Sequence, residues 1–136
     1  MRRLLLLSIF YTIFSFIGCK NKSTNTDKVY IGGKIVNPNL DYVILSRDED
    51  IIDTLKLNND NQFGQYLNDI DPGIYTLQHN PENQVIYLEP GDSIMIWVNT
   101  YDFDQSLNFS GRGSQESSFL LDLFLQNRAN NELILN

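Results

Sequence analysis

Residues 73–99, GIYTLQHNPENQVIYLEPGDSIMIWVN, decide the fold class. Apolar and polar positions alternate in three short runs. Ile74 and Thr76 fall on one face and Tyr75 and Leu77 on the other; Val85 and Tyr87 oppose Ile86 and Leu88; Ile94, Ile96 and Val98 oppose Met95 and Trp97. A period of two is the signature of a half-buried strand. The runs are separated by Asn80-Pro81-Glu82-Asn83 and Pro90-Gly91-Asp92 and preceded by Asp71-Pro72-Gly73. In these turns proline presets φ and glycine admits positive φ.

The same grammar extends upstream. KVYIGGKIV at 28–36, LDYVILS at 40–46, IIDTLKL at 51–57 and QFGQYLNDI at 62–70 read as strands. They are divided by Asn37-Pro38-Asn39, the charged turn Arg47–Asp50 and Asn58–Asn61. Gly32 and Gly33 inside the first run predict a bulge or a close backbone approach. Downstream, LNFS at 107–110 is a last short strand. Runs spaced by roughly 8–12 residues predict a mainly β fold, an antiparallel sandwich of about seven to eight strands over residues 28–110. From Ser114 the pattern changes. In SQESSFLLDLFLQN, Phe119, Leu120, Leu123 and Phe124 recur at helical spacing, Ser114 is placed to cap and Glu116 suits the first turn. The C-terminal segment 114–136 is therefore expected to be helical. Either it packs on the sandwich, or it is a linker whose partner surface belongs to a further domain.

Composition agrees with strand. Alanine occurs once, at Ala129, while β-branched and aromatic residues are plentiful, including seven Tyr and eight Phe. The net charge of −7 disfavours nucleic acid, whose phosphates an acidic domain repels. The single cysteine, Cys19, excludes an intramolecular disulfide, a Cys-x-x-Cys pair and a cysteine-rich metal site within this chain.

Residues 1–19, MRRLLLLSIFYTIFSFIGC, begin with Arg2 and Arg3 and continue with a largely apolar stretch to Ile17. That stretch is shorter than the roughly 20 apolar residues of a spanning helix and fits the centre of an export signal. Its end, Phe16-Ile17-Gly18-Cys19, resembles the bacterial lipobox, in which the chain is cut before a cysteine that carries lipid on sulfur. Phe16 stands where that signal usually has Leu. The resemblance implies a signal peptide at 1–18, lipidation at Cys19, a flexible polar tether at 19–27, and an exported chain anchored to the envelope membrane. Lys20 and Lys22, with no acidic run beside them, favour the periplasmic side.

In the body, the ordered pieces IGGKIV, DYVIL, IIDTL, PGIYTL, VIYLEPGDSIMIWV and FSGRGSQESSFL resemble a domain of unknown function that precedes thioredoxin-like domains in lipoproteins of Gram-negative bacteria. The resemblance covers roughly residues 29–125 and is sharpest over Leu88–Ile94. It implies a sandwich, a helical linker and then a thiol–disulfide oxidoreductase domain. Thioredoxin chemistry needs two cysteines in reach of one another, so only the accessory role carries over to this chain.

Other chemistry has a plainer explanation beside it. His79, the sole histidine, sits at a strand end without a recognisable nucleophile and reads as structural. Asp48, Glu49, Asp50 and Asp53 read as a solvated turn rather than a calcium site. Gly111–Ser114 reads as a capped helix start rather than an anion loop. Asp53-Thr54-Leu55 and Asp92-Ser93-Ile94 resemble a short O-glycosylation signal, which makes Thr54 and Ser93 candidate glycan acceptors. Tyr75, Tyr87, Trp97 and Tyr101 form a candidate sugar-binding face, although strand spacing favours the core. No catalytic residue, metal or cofactor is expected. Three functions compete: an accessory domain for a thioredoxin-like partner or domain, a stand-alone module that binds a glycan or an envelope protein, and assembly through strand edges.

Overall fold

The computed structural model describes residues 28–134, so the signal peptide at 1–18 and the whole tether at 19–27, with Cys19, lie outside the described residues. The fold is mainly β, with eight strands in two four-stranded sheets and a long C-terminal helix. The first sheet has the order β4 (Gln62–Leu67), β1 (Val29–Val36), β7 (Ser93–Asn99), β8 (Asn108–Arg112). The second has the order β3 (Asp50–Lys56), β2 (Tyr42–Arg47), β5 (Gly73–His79), β6 (Glu82–Leu88). Helix α2 spans Ser114–Ile134.

Alternation sorts the side chains as the sequence requires. Ile31, Ile94 and Ile96 of the first sheet and Val43, Leu45, Leu55, Ile86 and Leu88 of the second are buried between the sheets. Their outward neighbours Lys34, Met95, Trp97, Ile74 and Val85 are exposed. Tight hairpins join β2 to β3 and β5 to β6, while the other early connections carry the chain from one sheet to the other. The sandwich is therefore not wholly antiparallel: β1 and β7 run parallel from Tyr30↔Ser93 to Val36↔Asn99. Their separation in sequence leaves room for the long crossover that a parallel pair needs.

Gly32 and Gly33 serve a close approach and not a bulge. The β1 register runs through both glycines without a shift on either side. A Cβ on Gly33 would collide with the carbonyl oxygen of Ile96, and one on Gly32 would lie 2.9 Å from the Tyr30 hydroxyl. The register shift falls instead in β2–β3, at Leu45/Ser46. Between β7 and β8 the chain makes a single 3-10 turn at Thr100–Asp102 and the short helix α1 (Phe103–Ser106), neither expected from the sequence. Side chains hold this segment to the end of β1: Asn37 Nδ2 donates to Asn99 Oδ1 at 3.0 Å, and the Thr100 hydroxyl donates to the Asn37 carbonyl.

The two open sides of the sandwich are closed differently. On the β3–β4 side, Gln65 Nε2 donates to Asp53 Oδ2 across the sheets at 2.5 Å. On the β6–β8 side, the N-terminal half of α2 covers both edge strands.

Candidate functional site: the helix-closed edge and the two outer faces

An edge strand presents unpaired backbone groups, and a covered edge must satisfy them. Ser117, fully buried on α2, does so for β6. The Tyr87 N–H donates to Ser117 Oγ at 3.0 Å, and the same hydroxyl donates to the Tyr87 carbonyl at 3.2 Å. A serine brings the helix close enough for this contact, which a larger side chain would prevent. Ser117→Ala is expected to cost about 1–3 kcal/mol, the cost of leaving buried backbone groups without partners. Chemical denaturation measures it, and a loss near zero would show that water reaches the edge.

This contact decides between the two placements the sequence leaves open for the apolar stripe of the helix. The face against the sandwich is Ser114, Ser117, Leu121 and, in part, Leu125. Phe119, Leu123 and Phe124, the anticipated apolar stripe, point outward and are 64%, 37% and 46% exposed. The cap is also corrected: Ser114 lies within the helix, preceded by Gly113 at φ 82°, and its hydroxyl donates to the Gly111 carbonyl at 2.8 Å. Beyond Leu125 the side chains to Asn131 are exposed. Arg128 is bonded to Asp104 of α1.

Together with Ile74 and Tyr87 on the outside of β5 and β6, directly paired in register, Phe119 and Leu120 line an apolar groove of about 320 Å³. Partial burial, followed by the charges of Glu89, Asp92 and Glu116, raises the Tyr87 phenol above its ordinary value.

A second, polar cavity of about 490 Å³ lies under the β6–β7 turn at the start of α2. Its organising residue is Asp92, which is buried and accepts the Glu89 N–H at 2.9 Å. Gly113 lies directly against this carboxyl, leaving no room for a Cβ. Burial raises the Asp92 carboxyl above the ordinary 3.8; the Glu89 N–H opposes this, the Glu89 and Glu116 charges add to it, and Arg112 opposes it. The folded state therefore holds this proton more tightly than the unfolded chain. The contribution to stability is greatest below the unfolded value and is lost as pH rises through the raised folded value. Asp92→Asn keeps an oxygen for the Glu89 N–H and is expected to gain melting temperature relative to wild type as pH rises through this acid window. A difference independent of pH would contradict the assignment.

His79 is buried with both ring nitrogens engaged: the Asn39 N–H donates to Nε2 at 3.0 Å, and Nδ1 lies 2.9 Å from the Tyr42 carbonyl. It pins the loop between β1 and β2. Asp48, Glu49 and Asp50 are exposed on the β2–β3 turn, and no group of three His, Cys, Asp or Glu among the described residues could hold a metal. Thr54 is exposed on the edge strand β3. Ser93 is half-buried at the start of β7, between Tyr30 and Arg112. The tyrosine–tryptophan quartet separates. Tyr75 is in the core, its hydroxyl donating to the Asp71 carbonyl at 2.8 Å, while Tyr87 lies on the second sheet and Trp97 and Tyr101 are exposed. Strand spacing could not tell these positions apart, because either face of a strand can be inward.

The described residues thus define a two-sheet sandwich whose β6–β8 side is closed by a helix with an outward apolar stripe. No helix among them is long and apolar enough to cross a membrane. No protein-family model matches the chain, and no curated protein matches it. Among solved structures, the crystal structure of a DUF3823 family protein from Parabacteroides merdae is similar to part of it, with 16% identity and a TM-score of 0.37 over 63% of this chain. The match spans 47% of that protein's chain.

Proposed function

We propose that this chain is a non-catalytic accessory β-domain of a cell-envelope lipoprotein. It is tethered through lipid on Cys19 and packs its β5–β6–α2 face against a thioredoxin-like domain. The observation that carries the reading is the exposed stripe: Phe119 at 64% and Phe124 at 46%, continuous with Ile74 at 55%. Contiguous exposed apolar surface rimmed by polar residues marks a surface that another protein covers. The resemblance of residues 29–125 supplies the kind of partner, and the lipobox-like end of the export signal supplies the anchor. A redox pair would belong to that partner, because this chain has one cysteine.

The test is a photo-reactive phenylalanine analogue at position 119, with the same group at Tyr66 on the opposite sheet as control. The reading expects adducts from position 119 alone, joined to peptides of a domain bearing Cys-x-x-Cys. Adducts to lipid, or equal adducts from both positions, would contradict it.

A further inference from the structure

The outer face of the first sheet differs in chemistry from the rest of the molecule. The chain carries 17 acidic residues against 10 basic ones, yet β1, β4, β7 and β8 contain no Asp or Glu. Register sets the outward side chains in rows. Gln62, Lys34, Trp97 and Asn108 form one row, and Tyr66 and Tyr30 begin another four residues away. The row between them has no side chains, at Gly64 and Gly32, and the Tyr30 ring lies over it, itself packed on Tyr66 with centroids 4.9 Å apart. Beside that ring, Tyr30, Lys34, Gln62, Met95, Trp97 and Ser110 line a shallow trough of about 280 Å³. Trp97 is 46% exposed beside it, and Lys34 pairs with no carboxylate among the described residues.

We infer that this trough binds a segment of an acidic glycan, a chain of pyranose rings carrying carboxylates. The exposed indole offers a flat apolar face to the C–H side of a sugar ring, as an aromatic with one wet side can do. Lys34, its direct cross-strand neighbour, supplies a compact cation for the sugar carboxylate. Gln62 and Asn108 at the ends of the row offer amide donors and acceptors to ring hydroxyls. The Tyr30 ring, lying over Gly32 and Gly64, walls one side of the trough, whose volume lies just under the roughly 300–1,000 Å³ of enclosed small-molecule pockets. An open trough of that size suits one or two units of a longer chain. The absence of acidic residues from all four strands selects an anionic ligand over a cationic one. The site lies on the opposite sheet from the β5–β6–α2 face and stands independently of what covers that face.

Trp97 is the only tryptophan, so its emission reports the site directly. The full chain in detergent is titrated with a galacturonate hexamer and with the uncharged methyl ester of that hexamer. The inference expects a saturable change in Trp97 emission with the acid form, weakened as salt is raised from about 50 to about 500 mM. Lys34→Gln is expected to weaken the acid form about tenfold and leave the ester unchanged. Trp97→Ala is expected to abolish calorimetric binding of both while the melting temperature stays within a few degrees of wild type. Equal binding of acid and ester overturns the assignment, as does wild-type binding by Trp97→Ala or no saturable signal with either sugar.

Discussion

Gly33→Ala is expected to remove about 3 kcal/mol of stability, the upper part of the usual range for forcing an atom into a packed interior. The new methyl would meet the carbonyl oxygen of Ile96. β1 is hydrogen-bonded to β4 on one side and β7 on the other, so its backbone cannot move aside without breaking a ladder. Gly32→Ala is the informative control. Its nearest obstacle is the far end of the Tyr30 side chain, which can swing, although the Phe63 carbonyl at 3.0 Å is also close. Its cost should be nearer 1 kcal/mol. Urea midpoints at constant slope measure both, and equal losses would show that β1 is free to shift between its neighbours.

Leu45→Ala should have a comparable effect, about 2–5 kcal/mol, through lost apolar burial and the cavity left behind. Leu45 is fully buried in β2, paired with Asp53 of β3 and Leu77 of β5. Native domains hold only about 5–15 kcal/mol, so this one truncation removes a large share of the total. Ile52→Ala, on the edge strand β3 and 42% exposed, should stay within about 0.5 kcal/mol. If the two truncations cost the same, the division into inward and outward faces is wrong.

These contrasts mark what could be read from the chain. Strand positions from Val29 to Asn99 follow from local alternation, and Pro90-Gly91-Asp92 and Asn58–Asn61 turn where their residue types demand, with Gly91 at φ 95° and Asn61 at φ 59°. The parallel pairing of β1 with β7 joins segments more than sixty residues apart, and no local pattern encodes it. Which face of α2 meets the sandwich stays open in the sequence for a related reason. Phe119 and Leu123 carry the apolar signal, but the sandwich needs a hydroxyl to finish the β6 edge, so Ser117 turns inward, while the inward Ser114 bonds the Gly111 carbonyl of β8. The serines at 114, 117 and 118 were the available sign, since three- and four-residue spacing marks one helix face. The acid-free sheet was legible only once strands were assigned to sheets, because charge depletion scattered over four separate runs has no meaning in one dimension. Asp92 was visible as a turn residue, while its burial depends on the approach of Gly113 from the far end of the domain.

The most direct measurement is the intact mass of the protein recovered from cell membranes. The account predicts a chain that starts at Cys19, without residues 1–18, and whose mass is raised by acyl groups; Cys19→Ala should move the protein into the soluble fraction. Wild-type protein that retains residues 1–18, or that is recovered in buffer with a free thiol, would contradict the tethered accessory role.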